Sequence, residues 1–523
     1  MGLSQTTELR HTRLFPTAVL MACALGGCLC AVAVWFDPFL VVAGLAGSIV
    51  LAMLVVFLGV TGCLVLTPVI TAFLFMNRFE ETWAISLGNS VSITPVFICM
   101  ALCTGILGVH VLFHRHAPPA APYLTSFSRW YILLLGLFAG VGFFSVFINH
   151  WTDVYVRTRY LPGELLSLLI ISLPALFVLS IPASTLSQRR TLWGLRIFIG
   201  LGAFAGFIMT LFGLMPEQVM GMLGWVHATG GTLELVRGRL PLGHPNRVAA
   251  TMLMILPVTV MLGLGDKRTS WRAIYLISAM FMFCGILFSL SRSALLNTMI
   301  LLGLTLVHYF FGRKEKRMMG IVLVCLLSIT LAIAAGYLFA HYDFSRFWSR
   351  GYHEDTSVER RSDSLRTALY VLADHPIWGV GPDSVYPRVS VRPGWTPIVQ
   401  DSISPIIYYR GHPTAETPHN FYLHVLAEFG IAGGAFFLGM VFMIAWVFWR
   451  ARRTPGLTLE ERETITGLLY GVFAVLMAGC FEAVLMAGLR PNIVIWVFWG
   501  VGLRYVFLVV EEARGRISME APV

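Results

Sequence analysis

The chain has 523 residues, 57% of them hydrophobic and only 12% charged, with a mean hydropathy of +0.77. That composition excludes an assembly of soluble domains and calls for many apolar runs long enough to span a bilayer. The formal net charge of +10 does not mark a nucleic-acid binder, because the basic residues fall in short loops between apolar runs.

Taken in chain order, the apolar runs are 14–36, 38–57, 58–76, 92–113, 130–148, 165–182, 192–215, 247–265, 271–289, 293–311, 318–340, 425–449, 467–487 and 492–510. Each approaches the ~20 residues of a spanning helix. The sequence Leu25-Gly-Gly-Cys28 mimics a lipoprotein cleavage box, but its apolar run starts at Leu14 and continues past it, so it reads as a first span. The stretch 38–76 fits either one long tilted helix or a tight pair. Charge favours the pair. With fourteen spans and the N-terminus inside, the basic clusters Ser187–Arg190, Asp266–Arg272, Arg313–Arg317 and Arg450–Arg453 all become cytoplasmic. The fold class is therefore all-α, a polytopic membrane protein of about 14 (12–14) transmembrane helices. Its expected divisions are 1–215 and 216–340, both of spanning helices, an outer loop at 341–417, further spans at 418–510 and a cytoplasmic tail at 511–523.

All nine cysteines lie in apolar segments, so the outer loops carry no disulfide framework, and nothing has zinc-ligand spacing. No Walker loop appears, and Glu80-Glu81 reads as an exposed acidic pair, so neither a metal nor a cofactor is expected. The three lysines, Lys267, Lys314 and Lys316, all fall in cytoplasmic loops, whereas the 341–417 loop holds eight arginines. Arginine binds phosphate bidentately, which points to a phosphorylated ligand outside; a preference for arginine codons would produce part of the same bias.

Four stretches place polar groups at the outer border. Pro418–Gly433, PHNFYLHVLAEFGIAG, brings His419 and Asn420 to the point where a polar loop enters an apolar helix. Polar groups there need partners or a function, though a capping Asn beside an interfacial His is the plainer alternative. Upstream, Arg361 opens an amphipathic helical stretch that includes Arg366 and is followed by Pro376-x-x-Gly379-x-Gly381. Arg292, in Phe288-Ser-Leu-Ser-Arg292, must snorkel or meet an anion. Leu242-Gly-His-Pro-Asn-Arg247 supplies His244, a capping Asn246 and Arg247 as an interfacial anchor. Glu482 lies inside the 467–487 run and needs a partner, for which a site arginine such as Arg490 is the natural candidate.

In this order and spacing, the blocks at Arg292, Arg361–Gly381 and Pro418–Gly433 resemble the O-antigen ligase and polymerase family, with Leu365 standing where that family usually has Trp. The likeness covers roughly 240–505. It implies a bundle like those of other polytopic glycosyltransferases, in the bacterial inner membrane with its active site facing the periplasm. The implied donor is a glycan on undecaprenyl diphosphate. The acceptor is lipid A–core in a ligase, another lipid-linked glycan in a polymerase, and a protein hydroxyl in some relatives; no nucleic acid is involved. Transfer would be metal-independent and inverting, with His419 as general base and Arg292 and Arg361 on the diphosphate. Asn420, Arg366, Glu482, Arg490 and His244 are supporting candidates. Histidine suits the base role near neutral pH, and nearby guanidinium groups would favour its neutral form. A lipid-glycan flippase is the alternative from another class, but it would spread charge along a central path rather than gather it on one face.

Overall fold

We describe the protein from a computed structural model over residues 58–72 (without 60 and 71), 85–87, 91–113, 122–150, 154–214 (without 183 and 185), 245–312 (without 290), 356–382, 395–398, 406–409, 412–414 and 419–520 (without 484 and 486–488). The runs predicted at 14–36, 38–57 and 318–340, with Glu80, Glu81 and His244, lie outside the described residues.

The described helices are α1 (Thr61–Ile70), α2 (Pro95–Phe113), α3 (Pro122–His150), α4 (Val154–Ser180), α5 (Gln188–Leu214), α6 (Pro245–Gly265), α7 (Thr269–Phe288), α8 (Arg292–Gly312), α9 (Thr356–Asp374), α10 (Phe421–Ala451), α11 (Leu459–Gly479) and α12 (Leu489–Glu520). Six contain a stretch long and apolar enough to cross a membrane: α3, α5, α6, α7, α10 and α12. Shorter apolar helical stretches occur in α1, α2, α4 and α8.

The all-α expectation needs one amendment. A two-stranded antiparallel hairpin pairs β1 (Ile85–Leu87) with β2 (Val91–Ile93). In the long loop, β3 (Trp395–Ile398), β4 (Ile406–Tyr409) and β5 (His412–Thr414) form an antiparallel sheet, with Trp395 opposite Tyr409 and Tyr409 opposite His412. Strands of three or four residues separated by turns leave no periodicity that a search for long apolar runs detects.

The core is arranged around α6 and α12, whose apolar stretches are 94% and 89% buried, against 39% for α3. The outer helices turn large apolar side chains outward, among them Leu102, Trp130, Phe143, Ile431 and Phe442, each more than half exposed. Such a belt would be an aggregation hazard in water and is at ease in lipid. Within the bundle, small residues bring backbones together. Gly206 of α5 meets Gly285 of α7, and Gly467 and Gly471 of α11 lie against Pro257–Val258 and Met254 of α6. The close antiparallel run of α6 on α11 brings the start of α6 to the turn that follows α11.

The two ends of the bundle differ. At one end Arg504 donates to the Leu186 and Pro182 carbonyls at 2.9 and 2.8 Å, and Arg516 pairs with Glu461 at 2.8 Å. Thr458 and Glu461 close a capping box on α11. Arg196 lies over the rings of Trp193 and Trp271 and donates to the Tyr275 hydroxyl at 2.8 Å. Three of the four basic clusters predicted to share one side, 187–190, 266–272 and 450–453, gather here, and 313–317 lies outside the described residues. The opposite end carries the starts of α6, α8, α10 and α12.

Candidate active site

The site begins with a backbone turn. His419 has φ +43°, the left-handed conformation that costs a non-glycine residue about 1–2 kcal/mol. Asn420 follows in an extended conformation, and its side-chain oxygen accepts the Leu423 N–H at 3.0 Å, capping α10. Its side-chain nitrogen donates to the Cys480 carbonyl at 3.2 Å, and the Tyr422 hydroxyl donates to the Leu476 carbonyl at 2.7 Å. The start of α10 is thereby stitched to the end of α11. The plainer alternative for Asn420, a helix cap, describes what it does.

The left-handed turn sends the His419 ring back toward Glu482, with Nδ1 3.4 Å from Oε2. Glu482 is 4% exposed and accepts a second bond from the Asn246 side-chain nitrogen at 3.0 Å. The apolar pattern predicted that Glu482 would sit within a helix, but α11 ends at Gly479 and Glu482 lies in the turn beyond it. Its N–H still bonds the Ala478 carbonyl four residues back, so a last α-type turn holds it. Asn246 is likewise not the cap of α6. It is the second residue of that helix, and its amide is spent on the buried carboxylate. A cation also attends Glu482: Arg247, one residue further along α6, lies within electrostatic reach of it.

A second construction lies beneath the first. α10 is broken at Gly430 (φ +64°, ψ −173°), so it is two helices joined across a kink. The break releases backbone groups that an apolar setting cannot leave unpaired. The segment Pro376–Gly381 pairs with them. Val380 and Gly381 donate to the carbonyls of Ala427 and Glu428 at 3.1 and 2.8 Å, while Ile431 and Ala432 donate to those of Pro376 and Ile377 at 2.8 and 3.2 Å. Gly379 and Gly430 touch backbone to backbone; a Cβ on Gly379 would strike the Glu428 carbonyl, and one on Gly430 the Ile377 carbonyl. Ser145 of α3 donates to the Gly379 carbonyl at 3.3 Å. The Pro-x-x-Gly-x-Gly sequence is thus more than a turn after an amphipathic helix, because it repairs a broken one.

The predicted arginines divide. Arg361 is half-buried on α9, and α9 packs through Ala368 and Val371 onto Ala427 and Leu423 of the first half of α10. Arg366 projects from the exposed face of α9. Arg292 is the first residue of α8, where the Ser291 hydroxyl accepts the Ala294 N–H at 3.4 Å. Arg490 is the second residue of α12. All the described candidates belong to one end of the bundle or to the helix fastened there, with Arg366 on that helix's exposed face. One pair escaped the sequence reading. His424 and Glu428, one turn apart on the first half of α10, meet at 3.0 Å and are 6% and 2% exposed. Their i, i+4 spacing in an apolar helix was the available signal.

Residues 277–438 match the family model described as O-antigen ligase. The chain is similar to that family over this stretch, in line with the resemblance of its motifs, and the stretch holds Arg292, Arg361, the glycine strap and His419. Glu482, Asn246 and Arg247 lie outside it. The match supports membrane glycosyltransfer of the ligase or polymerase type, with a lipid-linked glycan as donor and a glycan as acceptor. No curated protein matches the chain.

Proposed function

We propose that the protein is a membrane glycosyltransferase of the O-antigen ligase type, moving a glycan from undecaprenyl diphosphate to a hydroxyl of lipid A–core on the periplasmic face of the inner membrane. The observation that carries this reading is the His419–Glu482 contact in a chain whose matched domain begins before Arg292 and ends beyond His419. With Nδ1 protonated, the imidazole donates to Glu482, and Nε2 keeps the lone pair a general base needs. The acceptor hydroxyl gives its proton to Nε2 as its oxygen forms a bond to the anomeric carbon. The bond from that carbon to the diphosphate oxygen breaks, and the electron pair leaves on the lipid diphosphate. Arg292 and Arg361 offset the charge that develops there, and Glu482 offsets the charge on the imidazolium. Attack opposite the leaving group inverts the anomeric centre. In this reading the fourteen-span topology puts the His419 end outside and the basic end in the cytoplasm.

Glycolipid from a deletion strain, separated on a gel, tests the reaction. A ligase leaves bare core, with long polymer stranded on its lipid carrier. Core bearing a single repeat unit would reassign the protein as a polymerase, and an unchanged profile would remove both.

A further inference from the structure

We propose that Arg247 is a third guanidinium of the donor site, holding a phosphate of the lipid-linked substrate beside His419 and Glu482. This rests on the transferase reading above and adds to it a residue outside the matched family domain. As an interfacial anchor, Arg247 would carry its charged head into water along an apolar stem. Arg247 is half-buried, and its Nε is fully buried with no hydrogen-bond partner among the described residues, which anchoring alone does not call for. As a simple counter-ion it would direct its fork at the carboxylate it neutralises. Glu482 Oε2, however, already receives Asn246 at 3.0 Å and faces His419 Nδ1 at 3.4 Å. Arg247 thus feels Glu482 through space while a buried donor of its guanidinium stays unspent.

A guanidinium offers five N–H donors in a rigid fork and no acceptor, so the missing partner is an acceptor; the fork suits carboxylate and phosphate, and phosphate is the one the proposed donor brings. Placement suits the same answer. Arg247 follows Asn246 on the first turn of α6, and Asn246 holds the carboxylate that meets the proposed base. In an inverting transfer the base and the leaving phosphate lie on opposite faces of one sugar ring. Only the anomeric carbon and its two bonds separate them, so a long guanidinium side chain rooted beside Asn246 can extend from the carboxylate side to the phosphate that bears the anomeric oxygen. Glu482 offsets the added positive charge, and Arg247 offsets the repulsion between Glu482 and the diphosphate.

Full-length protein in lipid nanodiscs, titrated with undecaprenyl diphosphate carrying no glycan, tests the assignment. Arg247→Gln should weaken binding about tenfold or more, and Arg247→Lys, which keeps the charge without the fork, by about threefold. The double variant Arg247→Gln/Glu482→Gln separates the two roles. If Arg247 only neutralises Glu482, removing both charges restores wild-type affinity and the proposal falls. If Arg247 touches phosphate, the double variant stays weak. Wild-type affinity in Arg247→Gln alone would also overturn the assignment while leaving the transferase reading intact. A wild-type protein that binds no prenyl diphosphate removes that reading, and this one with it.

Discussion

Replacing Glu482 by Gln isolates the charge that the structure sets beside the proposed base. Gln keeps the size and one acceptor oxygen, so the bond from Asn246 and the fold should persist. The change removes a negative charge 3.4 Å from His419 Nδ1. At that separation, with an effective dielectric near 20, the interaction with a full imidazolium is about 5 kcal/mol. Only part of the proton has moved at the transition state, so roughly half of that is at stake, or about 2–3 kcal/mol. This corresponds to a fall in kcat of roughly 30- to 150-fold. The KM for donor should change little, because the lost interaction strengthens only as the proton moves. The assay is transfer from a synthetic polyprenyl-diphosphate glycan to purified acceptor, with thermal unfolding measured alongside. Activity within about threefold of wild type, in a variant of unchanged melting temperature, would refute the pairing as catalytic support.

Further outcomes follow from the same geometry. His419→Ala should lower transfer by roughly 10²–10⁴-fold while lipid-diphosphate binding persists; a flippase would keep its rate. Asn246→Ala should cost about 1–3 kcal/mol of stability by leaving the buried carboxylate short of a donor, read as a lower melting temperature. Gly430→Ala and Gly379→Ala each drive a Cβ into the facing backbone, so both should fail to accumulate as folded protein in detergent, whereas Gly108→Ala, where a Cβ has open space, should not. A single cysteine at Thr454 should react with an impermeant maleimide only after cells are opened, and one at Arg366 should react in intact cells. The reverse pattern would invert the proposed topology.

What the sequence made legible was of two kinds. Spanning helices announce themselves because lipid demands an unbroken apolar run, and α3, α5, α6, α7, α10 and α12 fall where those runs do. Short motifs marked His419, Arg361 and the glycines, because polar or conformationally special residues at an apolar border need a reason. The same hydropathy reasoning failed where a helix stops without a polar signal. The apolar run continues past Gly479, where α11 ends, because the turn there is capped by donors from α10, more than fifty residues earlier. Asn246 was misread for a related reason. A cap is a local role that sequence can suggest, whereas its partner Glu482 lies 236 positions away.

The broken helix explains why three distant motifs belong to one device. A continuous α10 would satisfy its own backbone and have no use for Pro376–Gly381. Interrupting it at Gly430 leaves carbonyls and N–H groups that only another backbone can reach, and only glycines permit that approach. Four hydrogen bonds then fix the strap to α10, and α9, directly before the strap, is fixed to the half-helix that His419 precedes. Arg361 and His419 therefore ride on one rigid unit, although 58 positions of chain separate them. In the proposed reaction the base and the phosphate-binding cation must keep a fixed separation, since small misplacements are costly in rate. Loosening the strap should then lower kcat before it lowers the affinity for either substrate. Ser145→Ala, which removes the bond from α3 to the Gly379 carbonyl without disturbing the glycine contact, is the mildest way to see this. Its expected effect is a fall in kcat of about two- to tenfold with KM held, and a variant that raised KM alone would argue that the strap shapes binding rather than geometry.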